Sequence, residues 1–331
     1  MTWRKKTLFY IFSVLCIFSF GFLFGKSSLL KISGHFTNER KRAHLQSSVI
    51  LEDSENQELP ACPELPPYLT GPFIVEVNKS VNLTDIMSKN SYLREGGRGK
   101  PQFCKAQQKI AIIIPFRERE PHLKIWLHYM LPFLQKQQGD FGIYVVEQIK
   151  NATFNRAKLM NVGYAEAIKD YDYNCFIFSD VDIIPMNDRN LYRCSKNPRH
   201  MANSLDKFNF RLPYNTIFGG VVAFTKEQFL KVNGFSNRFW GWGGEDDELY
   251  NRVIAAGMKI ERPDLTIARS KAIFHHRDSG NEETGKSFHL ISKAYKFMHI
   301  DGLNSLEYEV IKRIRNKLYT KITVNIGTRN I

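Results

Sequence analysis

The chain has no C-x-x-C pair in its 331 residues and only five cysteines. This argues against a zinc finger or ribbon. No internal repeat is present, which removes solenoids and propellers. No segment interleaves basic and aromatic residues in the way that grips nucleic acid, although the formal net charge is +14. The basic residues are spread out, in short clusters such as Arg40-Lys41-Arg42. That balance fits a soluble enzyme domain handling anionic substrates better than a nucleic-acid partner. No A-x-A-like cleavage site follows Phe24, so the apolar N-terminus does not read as a cleaved signal peptide.

That N-terminus is the most legible segment. Arg4-Lys5-Lys6 precedes an uncharged run over residues 7–25. The run is long enough for a membrane-crossing helix of about 20 residues. The basic flank favours the cytoplasmic side. The expected organisation is a cytoplasmic tail (1–6), a transmembrane anchor (7–25), a polar stem (26–59) and a catalytic domain (60–331), in type II topology. Asn78, Asn82 and Asn151 head N-x-S/T acceptors, in keeping with a lumen. Cys62, Cys104, Cys175 and Cys194 form an even set outside the anchor, either two bridges or four buried thiols.

Pro60 to Pro72 is proline-rich and reads as a surface wrap; regular order is expected from near Lys109. Residues 110–115, 141–146 and 175–178 are short apolar runs rich in β-branched or aromatic residues, the pattern of strands buried on both faces. Residues 123–134 and 156–169 carry helical spacing between them. Strand–helix–strand–helix–strand implies an α/β domain with parallel pairing and right-handed crossovers. Residues 219–224 read as a further strand. Thr225-Lys-Glu-Gln228 is a capping box opening a helix that ends at Asn233-Gly234. Residues 247–256 form another helix with Leu249, Val253 and Ile254 on one face. Residues 274–286 read as a long mobile loop.

Ligands in such sheets gather at the carboxyl ends of the strands. Asp180-Val181-Asp182 ends the third strand. Two carboxylates there suit Mn²⁺ or Mg²⁺ holding a diphosphate, or else a solvated turn. Pro115-Phe116-Arg117-Glu118-Arg119 ends the first, where arginine could meet phosphate; Phe154-Asn155-Arg156 opens a helix in a similar way. In Trp240-Gly-Trp242-Gly243-Gly244-Glu245-Asp246-Asp247, two tryptophans among glycines do not read as ordinary core. Their faces suit a sugar ring, and the three acids sit where a helix dipole favours negative charge. An ionised acid there could take a proton from a hydroxyl. His275-His276 precedes the mobile loop and is either a metal ligand or surface.

Taken together, Ile-Ile-Pro-Phe-Arg117, Phe-Asn-Arg-Ala-Lys158-Leu, Phe-Ser-Asp-Val-Asp182, Pro-Met-Asn-Asp188, Trp-Gly-Trp-Gly-Gly-Glu-Asp-Asp247 and Asp-Gly-Leu-Asn304-Ser resemble the β-1,4-galactosyltransferase family, glycosyltransferase family 7, over about residues 62–327. The resemblance implies a GT-A type fold on a mixed, mainly parallel sheet, behind one transmembrane helix in the Golgi membrane. It implies disulfides Cys62–Cys104 and Cys175–Cys194. It makes Pro115, Phe116, Arg117, Arg119, Phe154, Arg156, Asp180, Val181, Lys207, Ile217 and Gly243 contacts of the UDP-sugar, and Asp182 and His275 ligands of Mn²⁺ or Mg²⁺. Trp242 is implied as the lid over the donor and Asp246 as the base, helped by Glu245. Gly244, Asp247, Phe288 and Ile291 join Trp242 and Asp246 around a terminal GlcNAc of the acceptor glycan. Residues 273–293 are implied to order on donor and metal binding.

Three positions depart from the family pattern. Ile217 stands where vertebrate galactosyltransferases have tyrosine. The smaller residue makes room for an N-acetyl group and points to UDP-GalNAc, as in invertebrate N-acetylgalactosaminyltransferases, ahead of UDP-Gal. Ala272 replaces a methionine ligand, which predicts weaker metal binding and a shift from Mn²⁺ toward Mg²⁺. Ser287 replaces an arginine near the acceptor. A catalytically dead, sugar-binding partner subunit is the rival reading; the retention of Asp182, His275, Trp242 and Asp246 argues against it.

Overall fold

A computed structural model describes residues 59–149, 152–276, 279–283 and 287–329. The expected tail and anchor, the stem up to residue 58, and the Asn151 acceptor lie outside the described residues. Among the described residues no helix is long and apolar enough to cross a membrane.

In chain order the main elements are α1 (Leu83–Lys89), β1 (Lys109–Phe116), α2 (Glu120–Lys136), β2 (Asp140–Gln148), α3 (Arg156–Asp170), β3 (Cys175–Ser179), β4 (Ile183–Pro185), β5 (Arg199–His200), β6 (Ser204–Leu205), β7 (Val221–Thr225), α4 (Lys226–Lys231), α5 (Glu245–Ala255), β8 (Arg269–Ala272), α6 (Ser287–Ser292), α7 (Ala294–Phe297), β9 (Glu309–Arg315) and β10 (Thr320–Asn325). A seven-stranded sheet runs β5-β7-β3-β1-β2-β10-β9. Its centre, β3-β1-β2-β10, is parallel. Both edges are antiparallel. The mixed sheet is as expected, but its parallel character belongs to the centre alone.

Alternation along β1 explains its unbroken apolar run. Ile110, Ile112 and Ile114 face the core that holds Trp126, Met130 and Leu134 of α2. Ala111 and Ile113 face the core that holds Leu159, Met160 and Tyr164 of α3. A helix on each side is what a parallel centre requires. The α3 packing is close, because a Cβ at Gly163 would run into the Ile113 and Val146 side chains.

Regular order does not wait for Lys109. Residues 59–108 carry α1, capped by Asn82, which accepts from Thr84 N at 2.9 Å. They are tied down by the Cys62–Cys104 disulfide, and Cys175–Cys194 is the second bridge. The proline-rich lead-in masked this segment because its contacts are cross-chain: the Asp188 carboxylate accepts from Thr70 N and Gly71 N. The Thr225 capping box forms, and Asn233 and Gly234 both have positive φ, closing α4 as expected. In α5, Leu249 and Val253 are buried but Ile254 is 48% exposed. Five residues advance about 500°, which takes Ile254 off the face of Leu249.

Gly163→Ala is expected to destabilise the fold by about 1–3 kcal/mol through overpacking. Equilibrium urea unfolding measures this, and an unchanged midpoint would show that the α3–β1 contact relaxes freely.

Candidate active site

The carboxyl ends of β1 and β3 and the segment leading into α3 open onto a cleft, and a second, three-stranded sheet, β4-β8-β6, completes it. Its register matters. Ile183 pairs with Ala272, and Ile273 N donates to Asp182 O at 2.8 Å. That pairing carries the end of β8 past the β3–β4 turn and sets His275 against Asp182, with Nε2 3.3 Å from Oδ2. The other ring nitrogen, Nδ1, is 2.8 Å from both Arg119 Nη2 and the His276 carbonyl oxygen. A carboxylate and an imidazole set side by side are a suitable donor pair for a divalent cation. Among the described residues no cluster of three or more His, Cys, Asp or Glu suits a metal. The pair therefore stands without a third such ligand, and Ala272 lines the cavity beside it.

The cleft is two adjoining cavities. One of about 580 Å³ is lined by Pro115, Arg117, Arg119, Phe154, Arg156, Asp180, Val181, Asp182, Lys207, Trp242 and His275. One of about 390 Å³ is lined by Ile217, Gly243, Gly244, Glu245, Asp246 and Asp247. Arg156, Asp180, Lys207 and Trp242 line both. Three expected contacts lie elsewhere. Phe116 is 1% exposed and packed in the α2-side core, because side chains alternate along β1. Phe288 is 81% exposed on α6, and Ile291 is half-buried, its carbonyl accepting from Asn251 Nδ2. Neither lines either of these two cavities.

The two tryptophans part company. Trp240 is 9% exposed in the α3-side core, against the expectation for it, whereas Trp242 is 53% exposed over the cleft. Gly241, Gly243 and Gly244 all have positive φ. Only glycine adopts that conformation readily, so the chain can turn one indole inward and the next outward. The loop after His275 is tied to the cleft in its described part. Trp242 N donates to Glu282 O at 3.0 Å, Phe154 N to Gly280 O at 2.8 Å, and Arg117 Nη2 to Ser279 O at 3.1 Å.

Arg156 does more than face a phosphate. Its Nε donates to Asp180 Oδ1 at 2.6 Å and its Nη1 to Glu245 Oε1 at 3.1 Å. Burial pushes the Asp180 carboxyl up, and Arg156 opposes this only in part. Burial also acts to raise Asp182, but the His275 hydrogen bond and charge outweigh it and hold that carboxyl below its usual value. The same bond raises His275. Burial first, then the Asp246 charge, pushes Glu245 up to about 7. Its Oε2 is buried with no hydrogen-bond partner.

Several cleft residues escaped sequence reasoning. Asp206 accepts from Ala272 N at 2.8 Å and pairs with Lys271 Nζ at 2.8 Å. Tyr214, His200 and Arg211 line the smaller cavity. Asp206 adjoins Lys207, a signal of proximity, but its partners depend on β8 lying in the second sheet. Nothing local marks the others.

Residues 62–195 match the N-terminal region of glycosyl transferase group 7, and residues 199–276 match the N-terminal domain of galactosyltransferase. The chain is 53% identical to mouse β-1,4-galactosyltransferase 1 over 270 residues, 82% of this chain and 68% of that protein. It is 52% identical to the human protein of the same name over 282 residues, 85% of this chain and 71% of that one. Among solved structures, the catalytic domain of Drosophila β-1,4-galactosyltransferase 7 with xylobiose matches at TM-score 0.58 and 28% identity, covering 66% of this chain and 94% of that one. A mutant of that enzyme with manganese, UDP-Gal and xylobiose matches at TM-score 0.59 and 29% identity, with the same coverage. The architecture is a GT-A-like α/β fold, and the protein is a glycosyltransferase. Within that class, the chain belongs to the β-1,4-galactosyltransferase family, glycosyltransferase group 7.

The raised Glu245 carboxyl predicts a pH effect on stability. Between its ordinary value of 4.5 and about 7 the folded state binds more protons than the unfolded state. This contribution is therefore fully present below the lower value, lost as pH climbs to the upper one, and flat beyond it. Glu245→Gln, which mimics the neutral carboxyl, is expected to flatten the fall in melting temperature between about pH 5 and 7. An identical slope in both proteins would refute the assignment.

Proposed function

We propose that this protein is an inverting, metal-dependent β-1,4-glycosyltransferase that moves galactose from UDP-Gal to a terminal GlcNAc of a glycan. The carrying observation is the convergence on one cleft of the Asp182–His275 pair, the cations Arg119 and Lys207, the exposed Trp242 indole and Asp246. UDP-Gal as first donor is supported by the names of the similar proteins, β-1,4-galactosyltransferases 1, and by the Drosophila complex with UDP-Gal. This reverses the donor order expected from Ile217. UDP-GalNAc is the second reading, favoured by Ile217 lining the smaller cavity with an aliphatic side chain.

The uridine diphosphate would lie along Pro115, Arg117, Phe154 and Val181, with Arg119 and Lys207 toward the phosphates. Asp182 and His275 would hold Mn²⁺ or Mg²⁺, which when bound neutralises charge on the departing diphosphate. Trp242 covers the donor sugar by stacking. The acceptor hydroxyl attacks the anomeric carbon from the face opposite UDP, and Asp246 takes its proton as the new C–O bond forms. The bond to phosphate breaks with its electron pair going to UDP, and a single displacement inverts α to β. The unpartnered Glu245 Oε2 offers a hydrogen bond to a sugar hydroxyl. A Golgi location, with residues 7–25 as a type II anchor and 26–59 as a stem, belongs to the same proposal.

The full chain, assayed with a GlcNAc-terminated acceptor, is expected to transfer from UDP-Gal, with measurable transfer from UDP-GalNAc. Transfer from neither would point to an inactive sugar-binding subunit. Asp246→Asn should lower kcat by about 10²–10⁴ with little change in donor KM. A Cβ at Gly219 would run into the Asp246 carboxylate. Gly219→Ala should therefore cost roughly a hundredfold in kcat through misplacement of that group; full activity would mean that the Asp246 carboxylate moves aside without loss of function. At the metal pair, Mg²⁺ should support turnover comparably to Mn²⁺, and Ala272→Met should shift activation toward Mn²⁺. Tight, exclusive Mn²⁺ activation of the unaltered protein would sink the Ala272 argument.

A further inference from the structure

We propose that Arg262 and His200 form a brace that sets the donor preference of the cleft by holding the backbone of residues 215–219, an inference that rests on the glycosyltransferase reading above. Residues 215–219 lie in no strand or helix, so their carbonyls find no partners in a sheet ladder. Three of the five are held by two side chains, with Gly219 O also accepting from Val221 N at 3.0 Å. Arg262 Nη2 donates to Asn215 O at 2.9 Å and to Ile217 O at 3.0 Å. His200 Nε2 lies 3.0 Å from Gly219 O. Arg262 Nε then closes the unit, 3.3 Å from His200 Nδ1.

The chemistry assigns the roles without ambiguity. A guanidinium only donates, so His200 Nδ1 must accept. The ring is then neutral with its proton on Nε2, where it donates to the Gly219 carbonyl. His200 is 1% exposed, with the Phe218 ring edge-on at 5.8 Å. Burial first, then the Arg262 charge, drives its pKa down to about 3, which agrees with a permanently neutral ring.

The held segment carries two functional positions. Ile217 lines the smaller cavity, and Gly219 abuts the Asp246 carboxylate. Arg262 follows α5 in sequence and His200 ends β5, so neither is near the segment in the chain. Arg262 acts on the backbone of residue 217 rather than on the sugar, which makes it a positioning residue. With the brace removed, the wall that gauges the substituent at C2 of the donor sugar loses its fixed position, and the two donors are told apart less well.

The test compares the unaltered full chain with Arg262→Ala, Arg262→Lys and Arg313→Ala. Arg313 on β9 pairs with Asp170 at 2.7 Å and lines neither cleft cavity, so it controls for loss of a structural arginine away from the brace. The first readout is the ratio of initial rates with UDP-Gal and UDP-GalNAc, which does not depend on the fraction of protein folded. Arg262→Ala should move that ratio at least about fivefold toward unity. Arg262→Lys should recover part of it, and Arg313→Ala should leave it unchanged even if its melting temperature falls. The second readout is hydrogen exchange across residues 215–220, which should speed up in Arg262→Ala and not in Arg313→Ala. If the alanine variant fails to fold, the lysine variant carries both comparisons. Unaltered exchange, or an unaltered donor ratio in an active enzyme, overturns the brace. An unaltered protein that transfers neither sugar sinks the functional reading instead, and the exchange result then decides the brace on its own.

Discussion

The site turns on one guanidinium. Arg156, at the start of α3, is hydrogen-bonded to Asp180 at the end of β3 and to Glu245 at the start of α5. Those acids belong to the two halves of the cleft: Asp180 adjoins the Asp182–His275 pair, and Glu245 adjoins Asp246. Gathering Asp180, Asp182, Glu245, Asp246 and Asp247 in one partly desolvated cleft would be strongly unfavourable without a shared cation. Removing one member of such a group leaves an uncompensated buried charge, costing about 3–5 kcal/mol. Arg156 is itself anchored by its neighbour, since Asn155 accepts from Lys158 N to cap α3 and donates to Asn237 O. The cap orients the helix, the helix aims the arginine, and the arginine joins donor side to acceptor side.

The second constraint is the register of β4 against β8. It lies outside the main sheet, yet it decides which residue after β8 meets Asp182. A slip of one residue would turn each β8 side chain to the opposite face. In the observed register Ala272 faces the cavity beside the metal pair and His275 reaches Asp182. The position at which the family carries methionine is therefore, in this chain, an alanine facing the cleft beside Asp182 and His275.

Donor discrimination is a more delicate property than the reaction itself. One substituent in a pocket is worth about 1–3 kcal/mol. On the proposed reading, the effect of Ile217 on donor choice would depend on where the backbone of that residue is held. The wall is set by distant side chains as well as by the residue that lines it. Relatives half identical to this chain share the reaction class and still leave the donor to be decided by such details.

The α/β class, the strands β1, β2, β3 and β7, the helices α2 to α5 and the capping box at Thr225 were legible because buried strands, amphipathic helices and caps write their periods and end signals locally. The cleft was legible too, since strand ends in a parallel sheet converge and Asp180, Asp182 and Arg117 sit at those ends. Beyond the two disulfides and the Asp182–His275 pair that the resemblance implied, the sequence did not reveal what each side chain touches. It presented Arg156 as a phosphate contact, Phe116 as a cleft residue and both tryptophans as cleft residues; tertiary structure made the first an ion-pair hub and buried Phe116 and Trp240. It left residues 59–108 nearly blank, because cross-chain hydrogen bonds and a disulfide order that segment in place of an apolar period. The sequence by itself determined the elements and the chemical inventory of the site, both functions of local pattern. Tertiary structure alone decided the pairings among Arg156, Asp180 and Glu245 and between Arg262 and His200, because each joins residues whose meeting depends on sheet order and register.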